Sequence, residues 1–495
     1  MHSYRIYTLL DQLITSSYQR LPNNLYQIIS PTTVQNSKLL WLNQNLTNSL
    51  GIKDYPEDEK DLALLSGNWV PESLKPLALG YAGHQFGHFV PELGDGRAIV
   101  LGEIKDLHQN HLDLQLKGSG KTRYSRQGDG RAPLGATIRE AILSEAMYHL
   151  NIPTTRTLSV ISHEEQLYRQ FGLEPAGILT RVTPSHLRFG SFQYAALKNQ
   201  NTLKELVAYT IKRYFSHLST EKSPLIELLK EVINRQAHLV AEWMGVGFIH
   251  GVMNTDNMSI IGETIDYGPC AFMDNFDWGK VFSSIDIQGR YAYGNQPSIA
   301  FWNINQLSLV LSDLMDEEEK ERLNETLETF SSALKQKWHR KLIQKFGLIE
   351  HDEKAMPIIK EFFDHMETAN ADMTHCFYYL TESVTSEKAQ KQLMKLLGDH
   401  EQAKKWLESW LSILQAQKEN QEVLKEIMEK VNPVYIPRNH LVERAIQQVI
   451  EKQGTSEMTH LIKRLEQPFD RERLDTYYFS APSSSEKVTA TFCGT

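Results

Sequence analysis

A chain of 495 residues, 41% hydrophobic and 23% charged, has the composition of an ordinary globular protein and is long enough for two lobes. A formal charge of -9 argues against nonspecific binding to nucleic acid or to an anionic membrane, and no apolar run reaches the length of a membrane span. Three cysteines (Cys270, Cys376, Cys493) are too few for a disulfide framework, and Met1 to Arg20 reads as an amphipathic helix rather than a secretory leader; a cytoplasmic monomer is expected.

Residues 1–75 mix short helical patterns with Pro and Asn turns and read as an N-terminal extension. Residues 76–200 are rich in glycine and strand patterns. Ala98 to Ile104 reads as a strand, and Lys105 to Asn110 as a polar turn. Leu112-Asp-Leu-Gln-Leu-Lys117 alternates strictly, which puts its leucines on one face and Lys117 on the other. Leu134 to Leu150 has helical spacing, with Asn151 and Pro153 to end it, and Pro153 to Val182 returns to short strand-like runs.

Residues 201–310 turn helical. Ser223 and Pro224 suit the N-cap and first position of a helix whose stripe includes Leu225, Leu228, Leu229, Val232, Leu239, Val240 and Trp243. Gly245 and Gly247 stop it just before Phe248-Ile249-His250. Residues 311–495 are mostly long charged amphipathic helices, for example Glu317 to Lys345, followed by a tail. Internal repeats and low-complexity linkers are absent. The class expected is α+β: a small β-rich lobe, then a larger helical one.

Two motifs sixteen residues apart carry the chemistry: His250-Gly-Val-Met-Asn-Thr-Asp-Asn257 and Asp266-Tyr-Gly268. They parallel the H-R-D-x-x-x-x-N loop and D-F-G turn of protein kinases, and so predict a protein-kinase-like two-lobed fold with N- and C-terminal extensions. One position differs: the third residue is Val252, which cannot accept a proton, while a carboxylate stands at Asp256. Asn257 and Asp266 are oxygen donors of the kind Mg²⁺ uses together with phosphates. His250 is expected to position the loop.

Taken singly, Lys117 and Glu140 are an exposed strand lysine and a solvated helix glutamate. With the downstream motifs they become a phosphate-binding lysine and the acid that orients it, Glu145 being the alternative acid. Gly94-Asp-Gly-Arg97 is a tight turn whose bare backbone and guanidinium could approach phosphates. Gly118-Ser-Gly-Lys-Thr122 matches the end of a P-loop, but Gln115 stands where its first glycine belongs. Asp129 and Gly130 form another sharp turn, and Arg181 and Arg188 could converge on a triphosphate. His84 and His88 have the spacing of a helical zinc pair, yet Gly83 and Gly87 disfavour a helix there.

These residues, together with Gly80-Tyr-Ala-Gly-His-Gln-Phe-Gly-His88, Gln115-Leu-Lys-Gly-Ser-Gly120, Asn295-Gln-Pro297 and Asn432-Pro-Val-Tyr-Ile-Pro-Arg-Asn-His440, resemble the SelO (selenoprotein O) family of kinase-like protein adenylyltransferases. The resemblance implies that ATP binds reversed relative to kinases and that AMP passes to a Ser, Thr or Tyr hydroxyl of a protein, with release of pyrophosphate. It implies UTP as a second nucleotide, no nucleic-acid partner and no membrane. Gly94, Gly96, Arg97, Lys117, Asp129, Gly130, Arg181, Arg188 and Asp266 would hold the nucleotide. Asn257 and Asp266 would hold Mg²⁺ or Mn²⁺, and Asp256 would take the proton. In the family a tail cysteine, here Cys493, pairs with a cysteine downstream of the D-Y-G motif; Phe282 stands at that place in this sequence, and Cys270, nearer the motif, is the expected partner for a redox link. A kinase transferring the γ-phosphate and a noncatalytic nucleotide-binding scaffold are the alternatives; Val252 weighs against the first, and Lys117, Asn257 and Asp266 against the second.

Overall fold

The computed structural model describes residues 8–52, 59–170, 172–349 and 352–492. Strands dominate its first part. They are β1 (Tyr26–Ile28), β2 (Lys38–Leu42), β3 (Leu77–Leu79), β4 (Gly83–Gln85), β5 (His88–Val90), β6 (Ala98–Lys105), β7 (His111–Lys117), β8 (Ala132–Pro133), β9 (Arg156–Arg169) and β10 (Gly172–Thr183). Seven of these run in the order β1-β3-β6-β7-β10-β9-β2, with β8 added beside β10; β4 and β5 form a separate hairpin. Strands β1 and β2 close the two ends of that order, so two segments from before residue 76 complete the sheet.

The alternation of β7 divides its side chains as the pattern requires. Leu114 and Leu116 enter a core with Leu101, Ile104, Leu158, Ile161, Ile178 and Val182, and Leu112 packs against its edge. Asp113, Gln115 and Lys117 take the opposite face, where Gln115 lies directly across from Arg181 of β10. The stretch from Pro153 to Val182, which reads as short runs, forms one long hairpin. Its register shifts at Pro175/Gly177 and Thr180/Arg181 absorb residues that break a simple alternation.

The helix Leu134–His149 packs on β9 and β10 and is buried on nearly every side. Its second cover comes from the far end of the chain: Leu441, Val442, Ala445, Met458, Leu461 and Ile462, from the helices Asn439–Ile450 and Ser456–Leu465, join Ile138, Ala141 and Ile142 in one cluster. Between these parts, helices Phe189–Lys198, Gln200–Tyr214, Pro224–Gly245, Gln296–Ser312 and Glu317–Phe346 build the large core. Pro224 begins its helix as expected, although the Ser223 hydroxyl accepts from Arg322 instead of capping its own helix. Gly247, at φ +73°, turns the chain into β11 (Phe248–Ile249). This short strand pairs with β12 (Ala271–Phe272), an antiparallel ribbon that brings the 250–257 loop beside the 266–268 turn. Among the described residues no helix is long and apolar enough to cross a membrane.

Candidate functional site

The polar face of β7 and β10 meets the 250–268 segment in a buried cluster of charge. Lys117 Nζ donates to Glu140 Oε2 at 2.6 Å and stands 3.7 Å from Asp266 Oδ1. Arg181 donates through Nε to the other Glu140 oxygen, and through its terminal nitrogens to Asp266 Oδ1 at 2.5 Å and Gln115 Oε1 at 3.3 Å. Arg188 donates to Asp266 Oδ2 at 2.5 Å and to the Asp256 carbonyl at 2.8 Å, with its guanidinium 4.5 Å from the centre of the Tyr81 ring. Glu145, the other acid on that helix, is taken by Arg156 at 2.6 Å and by the Thr157 N–H.

Five charged groups so close together depend on one another for their ionisation. Burial opposes the charge of Asp266, but Arg188, Arg181 and Lys117 outweigh it and hold the carboxyl well below the usual range. Glu140 follows the same balance: burial opposes its charge, and Arg181 and Lys117 prevail. Burial and the Arg181 charge lower the pKa of Lys117. Asp266 has φ +62°, a left-handed conformation uncommon for a residue with a side chain, which the surrounding ion pairs hold in place.

Asp256 is in a different state. It is 6% exposed, its Oδ1 has no hydrogen-bond partner, and its Oδ2 faces Gln85 Nε2 at 3.5 Å. Burial pushes its pKa up to about 6. Beside it, Asn257 Nδ2 donates to the Val252 carbonyl at 2.9 Å, so its Oδ1 is the atom left for a cation. His250 Nε2 donates to the Ile265 carbonyl at 3.0 Å and its Nδ1 accepts from the Val252 N–H, a neutral imidazole that ties the two motifs together. Burial lowers its pKa, in keeping with that state.

The glycine turns lie around the cluster. Gly94 has φ +127°, and a Cβ there would come within 2.5 Å of the Tyr124 ring; one at Gly96 would come within 2.9 Å of the Tyr124 carbonyl. Arg97 immediately precedes Ala98, the residue across from Lys117. Between the two glycines, Asp95 is buried and accepts from the Leu79 N–H and from Gln115 Nε2. Asp129 lies outside the cluster, exposed and paired with both terminal nitrogens of Arg169 at 2.7 and 3.0 Å. Gly130 packs against Gly120, its carbonyl accepting from the Gly120 N–H. The Gly118–Thr122 segment is a loop after β7 and does not open a helix. His84 and His88 sit on the β4–β5 hairpin, and among the described residues no group of three or more His, Cys, Asp or Glu could hold a metal.

Cys270 is buried, and its carbonyl accepts from Arg139. Thr491 donates its N–H to the Phe282 carbonyl at 2.8 Å and its hydroxyl to the Pro269 carbonyl, which brings the tail to the residue preceding Cys270. Cys493, the expected partner, lies outside the described residues. Asp95, Gln115 and Tyr81 enter the sequence reading only inside longer motifs, and His84 and His88 only as a disfavoured zinc pair; none is expected in the site. The signal for Gln115 was present: polar residues at 113, 115 and 117 share one face of a strand whose other face is entirely leucine.

The chain was compared with known proteins. The family model described as protein adenylyltransferase SelO matches residues 8–466. A protein nucleotidyltransferase YdiU of Bacillus mycoides (strain KBAB4) is 45% identical over 489 residues, 97% of this chain and 98% of the relative. Proteins of the same name from Bacillus cereus (strain B4264) and Bacillus thuringiensis (strain Al Hakam) match at the same identity and coverage. With its family model matched over nearly the whole length, this chain belongs to the SelO family.

Proposed function

We propose that this chain transfers AMP from ATP, or UMP from UTP, to Ser, Thr or Tyr hydroxyls of proteins and releases pyrophosphate. The observation that carries the reading is Asp256, a buried carboxylate with one unpartnered oxygen next to the Arg188–Asp266 pair. The names of the relatives support transfer of a nucleotide to protein. The reading also takes the fold as kinase-like, with an N-lobe over 76–200 to which the segment before 76 adds its two end strands, a C-lobe over 201–310 and a helical region from 311. The Lys117–Glu140 pair on the sheet side and the His250 loop on the helical side support that division.

In the reaction, the acceptor hydroxyl forms a bond to the α-phosphorus as its proton passes to Asp256. The bond from the α-phosphorus to the bridging oxygen breaks, and pyrophosphate departs with that oxygen. A pKa of about 6 leaves Asp256 ionised at neutral pH yet basic enough to receive the proton. Lys117, Arg181, Arg188 and Arg97 supply fixed positive charge for the phosphates, which costs no reorganisation as the leaving group develops charge. Gly94, Gly96 and Gly130 complete the nucleotide contacts. The donor chemistry of Asn257 and Asp266, an amide oxygen and an ionised carboxylate, fits Mg²⁺ or Mn²⁺ with phosphate oxygens as the remaining ligands. Such an ion would neutralise phosphate charge.

ATP labelled at the α or at the γ position decides between the reactions. Label from the α-phosphate on protein supports AMP transfer. Label only from the γ-phosphate means a kinase, and tight ATP binding with neither means a scaffold.

A further inference from the structure

The hairpin that carries β4 and β5 is tied to the Asp256 loop by a closed ring of hydrogen bonds that the reaction, as written, does not use. The His84 N–H donates to Thr255 Oγ1 at 2.7 Å, the Thr255 hydroxyl donates to Gln193 Oε1 at 2.8 Å, and Gln193 Nε2 pairs with His84 Nδ1 at 3.0 Å. Thr255 is fully buried and Gln193 is 4% exposed. The directions around the ring follow from its members. A hydroxyl has one proton, and that of Thr255 goes to the Gln193 oxygen. With its oxygen on Thr255, Gln193 turns its nitrogen to His84, and the neutral imidazole accepts at Nδ1.

The imidazole lies between two aromatic neighbours, its centre 4.8 Å from the tilted Phe89 ring and 5.2 Å from the edge-on Trp302 ring. Burial and the nearby Arg290 lower its pKa, which favours the neutral form the ring needs. Two more bonds run in parallel: the Phe86 N–H to Asn254 Oδ1 at 3.1 Å, and Gln85 Nε2 to Asp256 Oδ2. The three segments leave no slack where they meet. A Cβ on Gly83 would fall 2.2 Å from Asp256 Oδ1, and one on Gly190, in the Gln193 helix, 2.0 Å from the Ala82 carbonyl.

We propose that His84, Gln193 and Thr255 are positioning residues for nucleotidyl transfer: their ring fixes the peptide next to Asp256, so that its carboxylate is held where it takes the proton of the acceptor hydroxyl. The inference rests on Asp256 being the proton acceptor. A carboxylate set from its own loop alone would sample several rotamers, whereas a loop bonded to the hairpin and to the Gln193 helix presents one. Misplacement of a reacting group by about 1 Å costs on the order of 100-fold in rate.

The test uses the full chain, α-labelled ATP and dephosphorylated casein as an unfolded acceptor rich in hydroxyls. His84→Phe keeps an aromatic ring against Phe89 and Trp302 but removes the acceptor nitrogen, and kcat should fall roughly 10- to 100-fold. Its ATP affinity and thermal midpoint should stay near those of the parent chain. His84→Asn offers an amide oxygen near the Nδ1 position and should recover most of the loss, while Gln193→Leu should reproduce it. A readout independent of turnover is amide hydrogen exchange over residues 252–258, which should rise in His84→Phe and return in His84→Asn. Unchanged kcat or unchanged exchange in His84→Phe overturns the proposal, as does a failure of His84→Asn to rescue. Asp256→Ala, run in parallel, separates the two ideas. Transfer that survives it refutes the base; an inactive Asp256→Ala beside a fully active His84→Phe refutes the ring alone.

Discussion

Arg188 donates to the main-chain carbonyl of Asp256 at 2.8 Å, so the arginine that grips the Asp266 carboxylate also sets the loop of the candidate base. One side chain thus couples the phosphate side of the site to the acceptor side. Arg188→Lys keeps a positive charge but has no planar fork to reach both. Transfer should drop roughly 100-fold, more than ATP affinity does, because both the nucleotide and the base lose their alignment. Equal losses in the two measurements would mean that Arg188 serves binding only.

Glu140 accepts from two cations, Lys117 and Arg181, in a fully buried position. Glu140→Gln leaves both cations facing a neutral amide, and removal of one partner from a buried pair costs about 3–5 kcal/mol. Urea denaturation should report a loss approaching that size. ATP should bind more weakly, since Lys117 is no longer held toward Asp266.

Asn257→Ala removes an amide oxygen next to Asp256 without touching the charge cluster. The thermal midpoint of the chain without ligands should stay close to that of the parent. The extra stabilisation given by ATP with Mn²⁺ over ATP with a chelator should shrink, because a ligand stabilises only in proportion to its affinity for the folded state. An undiminished metal-dependent shift would place the cation elsewhere.

The elements that reach the site were legible because their patterns are local. The leucine alternation of β7, the helix that carries Glu140 and the loop with Val252 and Asp256 all follow from neighbouring residues. What stayed hidden depends on chain segments far apart. Nothing in Gly83-His-Gln85 announces that it lies on Thr255, about 170 positions on, and nothing near Glu140 announces that helices beyond residue 438 cover it. The choice between Glu140 and Glu145 was of the same kind. It turns on Arg156, which reaches Glu145 from the next strand. Asp129 shows the converse: a turn that reads as a phosphate contact is paired in the structure with Arg169, through the fold of a hairpin that read as separate short strands.

Lys345 lies outside this site, buried in the helical region. It is 1% exposed, its Nζ has a long contact of 3.5 Å to the Val431 carbonyl, and it stands 4.0 Å from the centre of the Phe377 ring. Burial drives its pKa well below the usual value, and Lys341 adds to the effect. The unfolded chain holds a proton at this lysine up to about pH 10.4 and the folded chain gives it up at a lower pH, so its contribution to stability rises with pH between the two. Each unit of depression costs about 1.4 kcal/mol at lower pH. Lys345→Met should therefore be more stable than the parent near pH 7, and the difference should narrow as the pH approaches 10. A constant difference would assign the effect to packing.

Gly83 gives the sharpest test of how tightly the candidate base is enclosed. Its backbone carries no left-handed φ, so alanine is allowed there by conformation alone; the obstacle is the neighbour. The added methyl would lie 2.2 Å from Asp256 Oδ1, 2.7 Å from Cγ and 2.8 Å from Cβ, all parts of one side chain. The hairpin cannot retreat without breaking the bonds from His84 and Phe86 to residues 255 and 254, so the Asp256 carboxylate must swing away and its Cβ shift with it. The charge cluster around Lys117, Arg181 and Arg188 is not touched. Gly83→Ala should consequently bind ATP with near-parental affinity and transfer AMP at a rate reduced at least about 100-fold, the scale set for a displaced reacting group. Parental transfer by this variant would mean that the Asp256 carboxylate, in the position found here, is not the group that takes the proton.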